Sequence, residues 1–191
     1  MMAQFKSNTL INVLNFILFQ TVWFLTIWSA SVSRPFLGVT LIVFIAIGYI
    51  FISKCFINQF LFFLGVACIG LWVDSSLINL HILYIESIKI GSLQLSPPFM
   101  VLLWVNLATT FDYSLNWIQK RYVLGSVFGG IGGSSSYYAG VKLNAAQLGQ
   151  PEWISLLYIG VTWAIVFPLL QVIWTKFNAV KGPKRVQTRA C

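Results

Sequence analysis

Six apolar runs, each about as long as a bilayer is thick, follow one another along this chain with only short Gly, Pro or charged breaks between them. A helix needs about 20 residues to cross the hydrocarbon core. The runs cover about 9–28, 36–53, 59–80, 98–118, 122–141 and 153–177. Only 8% of the residues are charged, against about 25% in a soluble domain. With 58% hydrophobic residues, most of the chain must be solvated by lipid. The sequence therefore predicts an all-α polytopic membrane protein, with six transmembrane helices in a single domain and a basic tail over 178–191.

Loop charge sets the expected orientation. With the N-terminus inside, nine bases fall on the cytoplasmic side: Lys6, Lys54, Lys120, Arg121, Lys176, Lys181, Lys184, Arg185 and Arg189. Arg34, Lys89 and Lys142 fall outside. Cytoplasmic loops carry the excess of Lys and Arg, so both termini are predicted inside. Trp28 and Trp153 then stand near the outer interface, and Trp117 and Trp174 near the inner one, where an indole can bury its ring and hydrate its N–H. The first run is too long for a secretory signal core, so it is predicted to remain as an uncleaved helix.

The net charge of +8 does not point to nucleic acid, because the bases lie between apolar runs and form no basic face. Cys55, Cys68 and Cys191 are too few and too scattered for a disulfide framework or a metal site. The lone His81 has no companion ligands, and no cofactor motif is legible. Between the third and fourth runs, residues 88–95 alternate apolar and polar around Gly91-Ser92, which predicts a short outer hairpin or cap.

The stretch 97–143 holds most of the informative residues. Ionisable groups at membrane depth are costly, and are functional candidates by default. Asp74 falls in the outer third of its run and Asp112 in the inner third of its own, too far apart for a close carboxylate pair. Asp74 with Trp23, Trp72, Trp104, Trp163, Tyr137 and Tyr138 is the candidate ligand pocket, opening outward. Asp112 with Asn12, Asn15, Asn106, Thr109 and Asn116 is a candidate inner polar cluster, since such a stripe cannot face lipid. Gly125, Gly129, Gly133, Ser136 and Gly140 form a small-residue ridge for tight internal packing, with a homodimer seam as the alternative. The Gly- and Ser-rich run 129–136 also lowers helix propensity and admits a break or kink in the fifth span.

The motifs WVDS (72–75), PPFMVLLW (97–104), LATTFDYSLNW (107–117) and SYYAGVKL (136–143) resemble a family of small, uncharacterised bacterial inner-membrane proteins. The family's central motif carries Asn-His where this chain has Asp112-Tyr113, so no histidine role transfers. The resemblance implies multi-pass localisation in the inner membrane, and a link to membrane lipid through neighbouring acyl-modifying enzymes. Three readings follow. The first is a protein that binds, moves or modifies a lipid-like or other apolar molecule in the aromatic pocket. The second is the substrate-binding subunit of a vitamin-type importer, whose usual alanine-xxx-alanine pattern the first helix lacks. The third is an assembly protein using the glycine ridge. No nucleophile–base pair is legible, so the sequence leans away from an enzyme. The expected partners are the lipid bilayer and a lipid-like ligand, not nucleic acid.

Overall fold

In the computed structural model, which describes residues 2–53 and 55–179, the chain is mostly helical. Six α-helices run α1 (Met2–Ser31), α2 (Phe36–Ile52), α3 (Phe56–Asn79), α4 (Pro98–Ala108), α5 (Tyr122–Lys142) and α6 (Glu152–Ala179). Four short strands, β1 (Leu83–Tyr84), β2 (Ile88–Ile90), β3 (Leu93–Leu95) and β4 (Gln147–Leu148), lie in the connections. Three helices, over Thr9–Ser31, Phe56–Asn79 and Glu152–Phe177, are long and apolar enough to cross a membrane; α2 and α4 are shorter apolar helices. The tail beyond Ala179, with Cys191, lies outside the described residues.

This fold exposes many large apolar side chains and buries several polar ones within a hydrophobic core. Asn15, Thr26, Gln59, Asp74, Asn106 and Gln171 are buried, while Phe36, Phe44, Phe51, Val123 and Ile131 are exposed. A polar side chain buried in such a fold must find its partner inside.

The helices form two groups. Helix α4 packs on α1, α2 and α3, while α5 packs almost entirely on α6, and α3 joins the groups through α6. The α5–α6 seam is the glycine ridge. A Cβ on Gly125 would stand 2.3 Å from Gln171, one on Gly129 2.5 Å from Phe167, and one on Gly133 2.3 Å from Trp163. The ridge is thus filled by the chain's own α6 and offers no homodimer seam along that face. Of the other ridge positions, Gly140 is buried with open space beside it, and Ser136 is exposed. Helix α5 is unbroken despite its glycines, because close packing on α6 outweighs a propensity loss of about 1 kcal/mol per glycine.

The break falls instead in the fourth span. Helix α4 ends at Ala108 rather than near 118, and turns lead to a single 3-10 turn at Asn116–Ile118. Thr109 and Thr110 donate their hydroxyls to the carbonyls of Asn106 and Leu107, at 2.7 and 2.5 Å, competing with the helical ladder. Buried non-helical backbone needs other partners. Asn15 on α1 donates to the Thr109 carbonyl at 3.2 Å and accepts from the Ser114 N–H and hydroxyl at 3.2 and 2.6 Å. Gln171 on α6 donates to the Ile118 carbonyl at 2.8 Å. Phe111, fully buried, anchors the turns between Phe62, Phe167 and Trp174. Trp174 therefore belongs to this aromatic core and not to the inner interface, while Trp28, Trp117 and Trp153 are exposed.

The hairpin forms as β2 and β3 in the register Ile88↔Leu95 and Ile90↔Leu93, with Gly91 at φ +60° in its two-residue turn. Asn79 at the end of α3 clamps it, donating to the Gln94 carbonyl at 2.7 Å and accepting from the Gln94 N–H at 3.1 Å. A second antiparallel pair, β1 with β4, ties the end of α3 to the start of α6.

Gly133→Ala is expected to destabilise the protein by about 1–3 kcal/mol through overpacking against Trp163. Gly132→Ala, with open space beside it, should be neutral or gain up to about 1 kcal/mol of helix propensity. Thermal unfolding of the two variants in the same detergent checks the contrast.

Candidate functional site

Asp74 is fully buried on the inner face of α3. Its Oδ2 accepts the Trp104 indole N–H at 2.9 Å, and its Oδ1 accepts the Tyr137 hydroxyl in a short hydrogen bond. One carboxylate thus links α3, α4 and α5. The Trp104 and Trp163 rings stack at 4.3 Å with 14° between their planes, and Tyr137 meets Trp163 edge-on at 6.5 Å.

Two glycines make this arrangement possible. A Cβ on Gly70 would lie 2.4 Å from the Trp104 ring, and one on Gly133 2.3 Å from that of Trp163. Gly70 is one helical turn before Asp74, and Gly133 one turn before Tyr137. Each indole rests on the glycine of the preceding long helix, and the polar residues one turn further on bond to each other across the stack. Residues four apart share a helix face, so the pattern G-x-x-x-D on α3 is answered by G-x-x-x-Y on α5.

Beside this node lies a cleft of about 490 Å³ between α1 and α5, with α4 behind it. Asp74, Trp23, Trp104, Trp163 and Tyr137 line it, together with Phe19, Leu103, Leu107 and Phe128. Gly132, Ser135 and Ser136 on α5 and Gln20 on α1 are exposed and line its open side. Two of the aromatic residues expected here are elsewhere. Trp72 is 72% exposed on the far side of α3, and Tyr138 faces outward with the Lys142 ammonium 4.9 Å from its ring centroid. Both fail for a rotational reason, since each neighbours a lining position along the chain but stands about 100° or more away around its helix.

The hairpin does not cover the cleft. The β1–β4 region does so, through Leu83, Ile85, Ala145 and Ala146. The same Ile85, Ala145 and Ala146 also wall a smaller polar hollow of about 420 Å³ with Tyr84, Glu86, Asn144 and Gln147.

The six residues of the expected inner polar cluster separate in space. Asn15, Asn106 and Thr109 are buried together around the start of the turns, with Asn106 donating to the Phe19 carbonyl at 3.1 Å. Asn12, Asp112 and Asn116 are exposed. The buried three bond to backbone, so their geometry is that of a bracket holding the interrupted span. Tyr49, whose hydroxyl receives Asn15 at 2.6 Å, together with Ser114 and Gln171, completes that bracket. Sequence reasoning missed all three, and only the polarity of Gln171 within an apolar run marked one of them.

The fold and its buried node define a helical protein with apolar helices of membrane-crossing length and an internal, largely apolar cleft. The chain belongs to the family described as protein of unknown function DUF2878, whose model matches residues 12–169. No curated protein and no solved structure matches it.

Asp74→Leu should cost about 1–3 kcal/mol for each buried donor it leaves unpaired, at Trp104 and Tyr137. Asp74→Asn should retain most of the stability, because an amide can accept from the indole and donate to the phenol oxygen. Denaturant or thermal unfolding of both variants in detergent tests this ranking.

Proposed function

We propose that this protein crosses the bacterial inner membrane six times with both termini in the cytoplasm, and binds, moves or modifies a lipid-like molecule in the cleft between α1 and α5. The six-span reading rests on the nine-to-three bias of loop bases. It also rests on the way α2, the interrupted fourth span and α5 pack side by side with the three long helices. A fluorescent protein that matures only in the cytoplasm, fused to Cys191, should light up; a dark fusion made in normal amounts would reverse the orientation.

The cleft itself carries the functional reading. Its volume of about 490 Å³ lies in the range of about 300–1,000 Å³ usual for small-molecule sites, and a few polar groups converge on a mostly apolar wall. Its open side faces the surroundings of the helices, where the exposed side chains are apolar, so a ligand dissolved in lipid has a lateral route in. The glycine ridge lends no comparable support to an assembly role, because α6 already occupies it.

Native mass spectrometry of gently purified protein tests the proposal. The wild type is expected to carry a lipid-sized mass. Gly140 lines the cleft, is buried, and has nothing within 4 Å of where a Cβ would stand, so the side chain of Gly140→Leu enters the cleft from an uncrowded position. That variant should lose the bound mass and keep its unfolding temperature. Equal retention by both forms, or bare wild-type protein, would sink the reading.

A further inference from the structure

The geometry points to a single-chain amphiphile with an uncharged, hydroxyl-bearing head as the occupant of the cleft, its tail along α5 and its head in the adjoining polar hollow. This rests on the lipid-binding reading above and narrows it to one ligand class.

Shape comes first. On α5 the cleft runs from Phe128 to Gly140, twelve residues along a helix, or about 18 Å. That is a little more than half of the roughly 30 Å hydrocarbon core, the depth of one leaflet. One extended alkyl chain laid along α5 matches that length.

Polarity assigns the two ends. The inner end is closed by Leu115 and Phe128. At the other end, Ile85, Ala145 and Ala146 line both the cleft and the hollow that holds Glu86, Asn144 and Gln147. An amphiphile lying along the slot therefore places its tail against apolar walls and its head among side-chain oxygens and amides.

Charge then selects the head. Among the described residues, neither the cleft nor the hollow is lined by Lys, Arg or His, and each holds one carboxylate, Asp74 and Glu86. Lys142 is close in sequence, but its ammonium lies over the Tyr138 ring. A phosphate or carboxylate head would meet like charge with no counter-ion. Hydroxyl donors would instead find the lone pairs of the Glu86 carboxylate and the Gln147 amide.

The matched probes are 1-palmitoylglycerol and 1-palmitoyl-lysophosphatidic acid, which share a chain and a glycerol and differ by the phosphate. Titrated into detergent-purified protein and read by native mass spectrometry, the uncharged probe is expected to bind at least about tenfold tighter, a difference of about 1.4 kcal/mol. Gly140→Leu should lose both probes. Glu86→Lys, at an exposed position, should bring the two affinities to within about twofold of each other while the unfolding temperature holds. Equal or tighter binding of the phosphate probe, an unchanged preference in Glu86→Lys, or no binding of either probe would overturn the assignment. If the protein still copurifies with a lipid that Gly140→Leu expels, only the head-group inference has failed. If no lipid copurifies and no probe binds, the cleft is not a lipid site.

Discussion

A buried carboxylate with two donors on two other helices is the constraint on which the upper half of this protein depends. Asp74 has no water to fall back on, so Trp104 and Tyr137 must remain where their hydrogens reach it. That requirement sets the depth of α4 against α3 and brings α5 to the same level. The glycines at 70 and 133 follow from it, because the two indoles occupy the volume where side chains would otherwise be. The stacked tryptophans then form a rigid wall, and the space left between α1 and α5 stays open because α1 is held by α2 and α4 while α5 is held by α6.

The lower half is organised by a different need. A run that leaves its helix at Ala108 frees amides and carbonyls that need partners from other elements. Asn15 and Gln171 reach in from the flanking helices, and Phe111 fills the aromatic core beneath. Polar residues in apolar helices here serve mainly as substitutes for the missing helical ladder. The interrupted run ends up wrapped by protein, with its freed backbone groups bonded from α1 and α6.

The two halves meet along the cleft. Its aromatic wall belongs to the Asp74 node, and its inner end is closed by Leu115 from the non-helical segment and Phe128 from α5. Because α5 contributes glycines and serines to one side and its ridge to α6 on the other, a single helix both closes the bundle and opens the cavity.

Helix number, the hairpin with its Gly-Ser turn, and the positions of most helix ends were legible from the sequence, because length, hydropathy and turn chemistry are local properties. So was the importance of Asp74, since an acid within an apolar run has few harmless places to go. Five of the seven expected pocket residues do line one cavity, yet Trp72 and Tyr138 do not. The choice of face depends on helix rotation, which the weak amphipathicity of α3 and α5 does not fix for their aromatic residues. The break in the fourth span rather than the fifth was decided by tertiary contacts. Helix propensity pointed to the glycines, but those glycines are stabilised by α6, whereas Thr109 and Thr110 found competing bonds and Asn15 was positioned to complete them. The chain alone determined that several of its helices are long and apolar enough to cross a membrane, and that Asp74, inside one of them, would need partners if buried. Which partners, and the cavity beside them, arose only from the packing of helices distant in sequence.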